Sequence, residues 1–390
     1  MENVLVIGAN TRPITCSLKN VGYNVYSVDY FGCQDLKNCV SDFRSLLTQK
    51  PFHSCGYFSQ NFNSELLLEK AKGFFELADS ILYSSGVSPL KIPNKKLIGN
   101  NHLYNVENKF KLYKHFLNKF EDVLKLPETY LVNDLQDAKE IADASEAEKF
   151  LIKPVKGSGG IGIQNLDMVD PIADIQGSIL QEIIEGSDVS ASVLSTGDEA
   201  STILTTQQLI GNNWLGQKQS YAYCGNIAPH MEEASKSSIY TNIKSFKEVA
   251  EEIILDLNLI GSNGVDMKIK DGNIYLIEVN PRFQGTFEVS EAVLGINLAE
   301  AHIRACDGEL INIPEPSEFA VKMIVFAKNR SEVGNLSMDN VNDIPTENVI
   351  IEEGEPVSTV LTTGNILENT ICSAKMVVDD IYKNLKSLPY

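Results

Sequence analysis

The chain opens on an apolar strand at 4–7, the turn Gly8-Ala-Asn-Thr-Arg-Pro13, a helix and a second strand at 25–28 that ends on Asp29. A strand, helix and strand in that order predict a doubly wound α/β unit. A further apolar run at 80–83 extends it, and the stretch 89–101 closes it. From Val106 to Phe120 the apolar residues Val106, Phe110, Tyr113, Leu117 and Phe120 fall at helical spacing, with Lys109 at the edge of the stripe and Lys111 and Lys119 toward solvent. The period then becomes two. Strands are predicted at 150–155, as strand-turn-strand over 178–192, and at 201–210. The polar stretch 211–231, which holds the only tryptophan, Trp214, reads as a long loop suited to a substrate lip. Helices are predicted at 239–257 and 290–306, and beyond Pro314 and Pro316 come strands at 320–326 and 357–362 and a helix at 373–385.

Between the two central helices, Gly264 to Arg282 reads as a hairpin turning at Asp271-Gly272. Simple alternation places Leu276, Glu278 and Asn280 on one face. A two-residue loop would set Asp266 against Ile277, whereas a three-residue loop, Asp271 to Asn273, sets it against Glu278; the longer loop is the expectation. Two carboxylates at cross-strand distance repel each other unless a cation lies between them. Asp266, Glu278 and Asn280 therefore form a candidate oxygen-ligand set for Mg²⁺ on nucleotide phosphates. A polar hairpin face that simply meets water is the alternative. The ending Asn280-Pro281-Arg282 weighs against it, because a carboxamide and a planar guanidinium suit phosphate or carboxylate.

Lys153 lies in the strand feeding Lys156-Gly-Ser-Gly-Gly-Ile-Gly162. Four glycines in seven residues permit a tight turn whose N–H groups can close over phosphate oxygens. Neither standard nucleotide loop is present: the Walker pattern is missing, and Gly8 to Pro13 has one glycine where a dinucleotide fingerprint needs three.

Composition narrows the partners. A formal net charge of -19 argues against nucleic acid and anionic membranes and for a small ligand. No run approaches the ~20 apolar residues of a membrane span and no leader is evident, so a cytoplasmic location is expected. The seven cysteines include no C-x-x-C pair and read as reduced, mostly buried thiols; the five histidines form no metal cluster.

Together, the strand lysine, the glycine hairpin, the Glu185-Gly-Ser-Asp188 segment and the Glu278-Val-Asn-Pro-Arg282 ending resemble the ATP-grasp superfamily over roughly 106–306. The flanking regions resemble the domains that accompany it in biotin carboxylase and carbamoyl phosphate synthetase. The resemblance implies an α/β chain: a Rossmann-like N-terminal domain at 1–105, an ATP-grasp domain of α+β type at 106–308 with its lid at about 127–195, and a small α+β region at 309–390 completing the core.

The same resemblance implies roles. Lys109 and Lys153 would hold nucleotide phosphates, and Lys156, Gly157, Ser158, Gly159, Gly160 and Gly162 would form the closing loop. The Gln181 side chain and Glu182 carbonyl would meet the adenine amino group, the Ile184 N–H a ring nitrogen, and Asp188 the ribose. Asp266, Glu278 and Asn280 would bind Mg²⁺, with Mn²⁺ as an alternative ion, and Arg282 would act with Lys153 on the transferring phosphoryl group. Asn108-Lys109, Gln181 and Asp188 stand where relatives often have Asp-Lys, glutamate and glutamate.

One departure bears on the reaction. Biotin carboxylase continues N-x-R-x-Q-x-E, with the glutamate as the base for bicarbonate; here Asn280, Arg282 and Gln284 match but Thr286 takes the last position. A threonine cannot serve as that base near neutral pH. No biotinyl-lysine Met-Lys-Met motif is present either. The expected activity is an ATP-dependent, carbon–nitrogen bond-forming ligase that couples a small carboxylic acid to an amine, with a non-catalytic ATP-binding regulator or an ATP-dependent carboxylase as alternatives. A homodimer is the default assembly.

Overall fold

The computed structural model describes residues 2–93, 96–101, 103, 105–157, 159–231 and 245–389. Its first sheet is parallel, in the order Asp42–Ser45, Asn24–Asp29, Asn3–Ile7, Ser80–Tyr83. Both faces of this sheet are apolar, as a sheet covered on two sides requires. Leu5, Ile7, Val28 and Ile81 lie on the face covered by the helix Ser64–Ala71, in one core with the helix Phe246–Asp256 and the later hairpin, while Val4, Val6, Val25 and Leu82 lie on the face covered by the helix Arg12–Asn20, in a second core with the helices Phe287–Leu294 and Leu298–Cys306. The turn after the first strand is fastened by Asp29, whose carboxylate accepts the Thr11 N–H at 2.8 Å and the Gly32 N–H at 2.6 Å. Gly8 is required there, since a Cβ would stand 1.8 Å from Ser84 Oγ.

An antiparallel eight-stranded sheet follows, ordered Asn273–Asn280, Gly261–Lys270, Ser187–Ser195, Ala200–Ile210, Tyr223–Ala228, Phe319–Phe326, Pro356–Gly364, Val341–Asn342. The helix Phe246–Asp256 covers one part of it. Its buried residues Phe246, Val249, Ala250, Ile253 and Ile254 recur at intervals of three and four, so they form one stripe. Ser245 and Glu248 close its N-terminus as a reciprocal capping box. Burial of each large side chain on that stripe contributes roughly 1.5–3 kcal/mol. A separate four-stranded sheet, Thr129–Val132, Ser178–Glu182, Phe150–Pro154, Gln164–Asn165, carries its own small core of Val132, Phe150, Ile152 and Leu180. No helix among the described residues is long and apolar enough to cross a membrane.

Several sequence expectations change. The polar stretch 211–231 is not one loop: Tyr223–Ala228 is an inner strand of the large sheet, because Asn226 is buried with its amide donating to Thr206 Oγ1 at 2.8 Å. The helix expected at 290–306 is two helices divided at Gly295, which has φ +62°. The helix expected over 106–120 spans only Lys109–Phe116, and its buried face is Lys109, Leu112 and Phe116, leaving Leu117 exposed. The last helix begins early, at Leu367. Part of the helix expected at 239–257 falls outside the described residues. The cysteines are not all thiols, for Cys16 and Cys39 form a disulfide with their Cα atoms 4.8 Å apart. Residues 23 apart in sequence are brought together by the first helix packing on the short 3₁₀ turn Asp35–Asn38, a proximity that spacing alone does not reveal.

A buried ion network ties the ends of the chain to the middle. Arg12 meets Asp343 at 2.7 Å, Glu288 at 2.5 Å and Asp35 at 3.2 Å, and Lys322 meets Glu288 at 2.7 Å. Burial raises the Asp343 carboxyl, but Arg12, together with Thr359 and Lys322, outweighs this and brings it down to about 2. Removing one partner from such a network leaves uncompensated buried charge, which costs more than the pair is worth. Arg12→Ala is therefore expected to lower unfolding free energy by about 3–5 kcal/mol, and Arg12→Lys by less, in urea titrations followed by circular dichroism.

Candidate functional site

The hairpin turns through Asp271 and Gly272, with φ of +51° and +76°, so the loop has two residues rather than the three expected. Lys270 faces Asn273 and Met267 faces Leu276, which would set Asp266 against Ile277. The register instead shifts between Met267 and Asp266, skipping Ile277, and Asp266 faces Glu278. The pairing is as expected, but its source is a β-bulge, a device that re-aims side chains near functional sites. The bulge also corrects the predicted alternation: Leu276 and Val279 both enter the core, so Leu276 does not share a face with Glu278.

Each carboxylate has its own protein partners. Asp266 accepts from Ser190 at 2.7 Å, Gln208 at 2.9 Å and Asn280 at 2.9 Å. Glu278 pairs with Lys109 at 3.1 Å. These contacts do not cancel the repulsion: burial, and then the charge of Glu278, push the Asp266 carboxyl up to about 6. A divalent cation between the two would relieve both causes, and the donors are of the oxygen type that Mg²⁺ takes. Asn280 Oδ1 accepts from Arg282 at 2.9 Å, placing the guanidinium at the end of the hairpin. The Pro281 carbonyl between them is held by Tyr83 Oη at 3.0 Å and Asn100 Nδ2 at 3.1 Å. Thus a strand of the first sheet fixes the turn that aims Arg282.

Lys109 and Lys153 line one narrow cleft with Gly157, Gly160 and Glu278. Lys109 sits at the start of its helix, capped by Asn108, and donates to the Gly157 carbonyl at 3.0 Å. Lys153 points inward from Phe150–Pro154; burial, and then the nearby Lys109, bring its ammonium down to about 7, against the pull of Glu278. Lys156, Gly157, Gly159 and Gly162 are on the exposed loop, and Ser158 lies outside the described residues. Gly160 is the glycine under most demand. It has φ +78°, and a Cβ would stand 1.9 Å from the Tyr221 carbonyl, so the loop docks on that segment backbone to backbone.

The connecting strand departs from expectation. Gln181 does not offer a free side chain, because its Oε1 accepts from Lys153 at 2.5 Å and its Nε2 donates to Thr129 at 2.9 Å. Glu182 and Ile184 lie on the segment joining two sheets, with Ile184 buried and the Glu182 carboxylate accepting the Glu128 N–H at 3.1 Å. Asp188 pairs with Lys268 at 2.8 Å.

These elements have known counterparts. The model of the family described as an ATP-grasp domain matches residues 106–286. Uncharacterized protein MJ0776 of Methanocaldococcus jannaschii is 30% identical over 390 residues, spanning 97% of this chain and 91% of that one. The chain belongs to the ATP-grasp superfamily. Among solved structures, N5-carboxyaminoimidazole ribonucleotide synthetase from Thermotoga maritima is similar with a TM-score of 0.65 at 16% identity, covering 99% of each chain. The biotin carboxylase domain dimer of Hydrogenobacter thermophilus 2-oxoglutarate carboxylase, in complex with MgADP, ADP and bicarbonate, is similar with a TM-score of 0.67 at 16% identity, covering 99% of this chain and 90% of that one. At such identities the likeness is one of fold.

Within this ATP-grasp chain, Thr286 is buried and 2.6 Å from Ser192 Oγ. The nearest carboxylate beyond it in sequence, Glu288, is held by Arg12 and Lys322; burial raises it, but these two cations outweigh that and leave it below the usual range. Glu288 therefore stays an anion held in two ion pairs. Sequence reasoning missed Ser190, Gln208, Tyr83, Asn100 and Glu288. Ser190 carried a usable signal, since it occupies an inward position two residues beyond Asp188 on the same strand; the others come from distant elements. Gly160→Ala is expected to undock the loop while global unfolding free energy changes by less than about 1 kcal/mol. Faster amide hydrogen exchange over 159–163, beside an unchanged core, would be the sign.

Proposed function

We propose that this protein is an ATP- and Mg²⁺-dependent ligase that activates a small-molecule carboxylate as an acyl phosphate and couples it to an amine, releasing ADP and phosphate. The observation that carries this reading is the convergence of Lys109, Lys153, the glycine loop and the Asp266–Glu278 pair, with Arg282 at the open end. Lys109 and Lys153 offset the charge of the nucleotide phosphates, and the docked loop keeps water away. Asp266, Glu278 and Asn280 would hold the ion, which when bound neutralises phosphate oxygens. Arg282 meets the carboxylate as it attacks phosphorus and then the acyl phosphate formed, where two anions would otherwise repel. The amine displaces phosphate and gives the amide. Carboxylation is the weaker reading, because Thr286 cannot take a proton from bicarbonate and Glu288 is committed to Arg12 and Lys322.

Turnover is tested by ADP release from Mg-ATP with panels of acids and amines. Glu278→Gln and Arg282→Ala should each lower it by roughly 10²–10³ with melting temperatures close to wild type. A folded protein that binds Mg-ATP yet releases no ADP with any acid or amine would instead be the regulatory type.

The pH dependence of Mg-nucleotide binding follows from two groups. Lys153 loses its charge as pH rises through about 7, so affinity falls on the alkaline side. Asp266 takes a proton as pH falls through about 6, in competition with the metal, so affinity falls on the acid side too. Calorimetry with a non-hydrolysable ATP analogue should give a maximum between these limits, and Lys153→Met should flatten the alkaline limb alone.

A further inference from the structure

Beyond Arg282 two chambers adjoin, of about 290 and 310 Å³, and they share Asn10, Ser85, Gly159, Tyr223, Ile324 and Thr359 in their walls. They form one continuous cleft between the N-terminal sheet, the hairpin and the C-terminal strands. Their chemistry differs. The first is the more polar of the two and holds Arg282 and Lys322 together with Asp266, Asn226, Gln208 and Asn280. The second is walled by Phe31, Phe58, Ile161, Phe326, Pro356 and Val357, and the acidic residues lining it are Asp343 and Glu355.

Resting on the ligase reading above, we propose that the acid activated here is a monocarboxylate with an aromatic or branched apolar body, its carboxylate against Arg282 in the first chamber and its body in the second. Size permits this, since a cavity of roughly 150 Å³ accepts a benzene ring and the second chamber is about 310 Å³. The wall is also preformed. The Phe58 ring stacks on Phe62 at 4.8 Å and on Phe31 at 5.9 Å and meets the Tyr30 ring edge-on at 4.8 Å. Glu355 is fixed by accepting the Phe58 N–H at 2.8 Å, and Asp343 by Arg12 at 2.7 Å. A second carboxylate at the far end of the substrate would meet Glu355 across an apolar wall, while the charge of Asp343 is already balanced by Arg12, so the site selects against dicarboxylates by repulsion from Glu355.

Ile161 adds a coupling. It comes from the glycine loop, lines both the second chamber and the cleft of Lys109 and Lys153, and leaves 45% of its surface exposed. An apolar body in the second chamber would cover that surface and favour the docked loop, so acid and nucleotide should bind more tightly together than apart.

The test is calorimetric titration of the full chain with acetate, 4-phenylbutyrate and suberate, with and without Mg²⁺ and a non-hydrolysable ATP analogue. Burial of the phenyl group predicts 4-phenylbutyrate at least about tenfold tighter than acetate, with suberate no tighter than acetate and the nucleotide analogue strengthening 4-phenylbutyrate binding. Phe58→Ala should remove most of the phenyl advantage. Glu355→Gln, which keeps the volume and an oxygen for the Phe58 N–H, should improve suberate by about tenfold without weakening acetate. Analogue binding that persists while suberate matches 4-phenylbutyrate, or while both variants behave as wild type, overturns this assignment and leaves the ligase reading standing. Failure of the analogue to bind with Mg²⁺ removes the ligase reading and the assignment with it.

Discussion

Two carboxylates face each other across adjacent strands, and much of the nearby structure serves to hold them there. Like charges at cross-strand distance destabilise a hairpin, and Asp266 and Glu278 are each only partly exposed, so water and salt screen the pair incompletely. Ser190 reaches Asp266 from the adjacent strand of the large sheet and Gln208 from the strand beyond it, and Lys109 reaches Glu278 from a helix outside the sheet. Lys109 also holds the Gly157 carbonyl. One pair of anions thus links the hairpin, the helix that starts at Lys109 and the loop that follows Phe150–Pro154. Relieving the remaining repulsion with a cation would act on all three at once.

The second organising element is the set of ion pairs around Arg12. It joins the first turn of the chain to the helix after the hairpin and to the C-terminal strands. Burying five ionisable groups is costly unless their geometry is satisfied, and here the cost goes with placement. Lys322 and Asp343 each touch the network and also line the cleft beyond Arg282. The cleft is therefore assembled from parts of the chain hundreds of residues apart, and its walls hold position only while the network does.

Legibility in the sequence tracked local periodicity. The parallel opening, the strand carrying Lys153, the glycine turn and the hairpin were all readable, because each is written in consecutive residues with a period of two or with turn-forming pairs. The polar strand Tyr223–Ala228 was not, since Asn226 and Gly225 look like loop residues until Thr206 and Lys322 are placed against them. Around Lys109 the apolar spacing from Val106 points to a stripe through Leu117, while capping at Asn108 and the end at Phe116 rotate the buried side to Leu112.

The sequence by itself determined the fold class and the ingredients of the candidate site: the lysine in its strand, four glycines, and the residues Asp266, Glu278, Asn280 and Arg282 in one hairpin. Period and turn chemistry act within a few residues, so they reach that far. Only the tertiary structure decided the register, through a bulge at Ile277 rather than a longer loop, because the core takes both Leu276 and Val279 and the extra residue has to be absorbed between them. It alone brought Cys16 to Cys39, committed Gln181 to Lys153, and locked Glu288 between Arg12 and Lys322. Such contacts depend on which distant elements share a surface, and packing settles that.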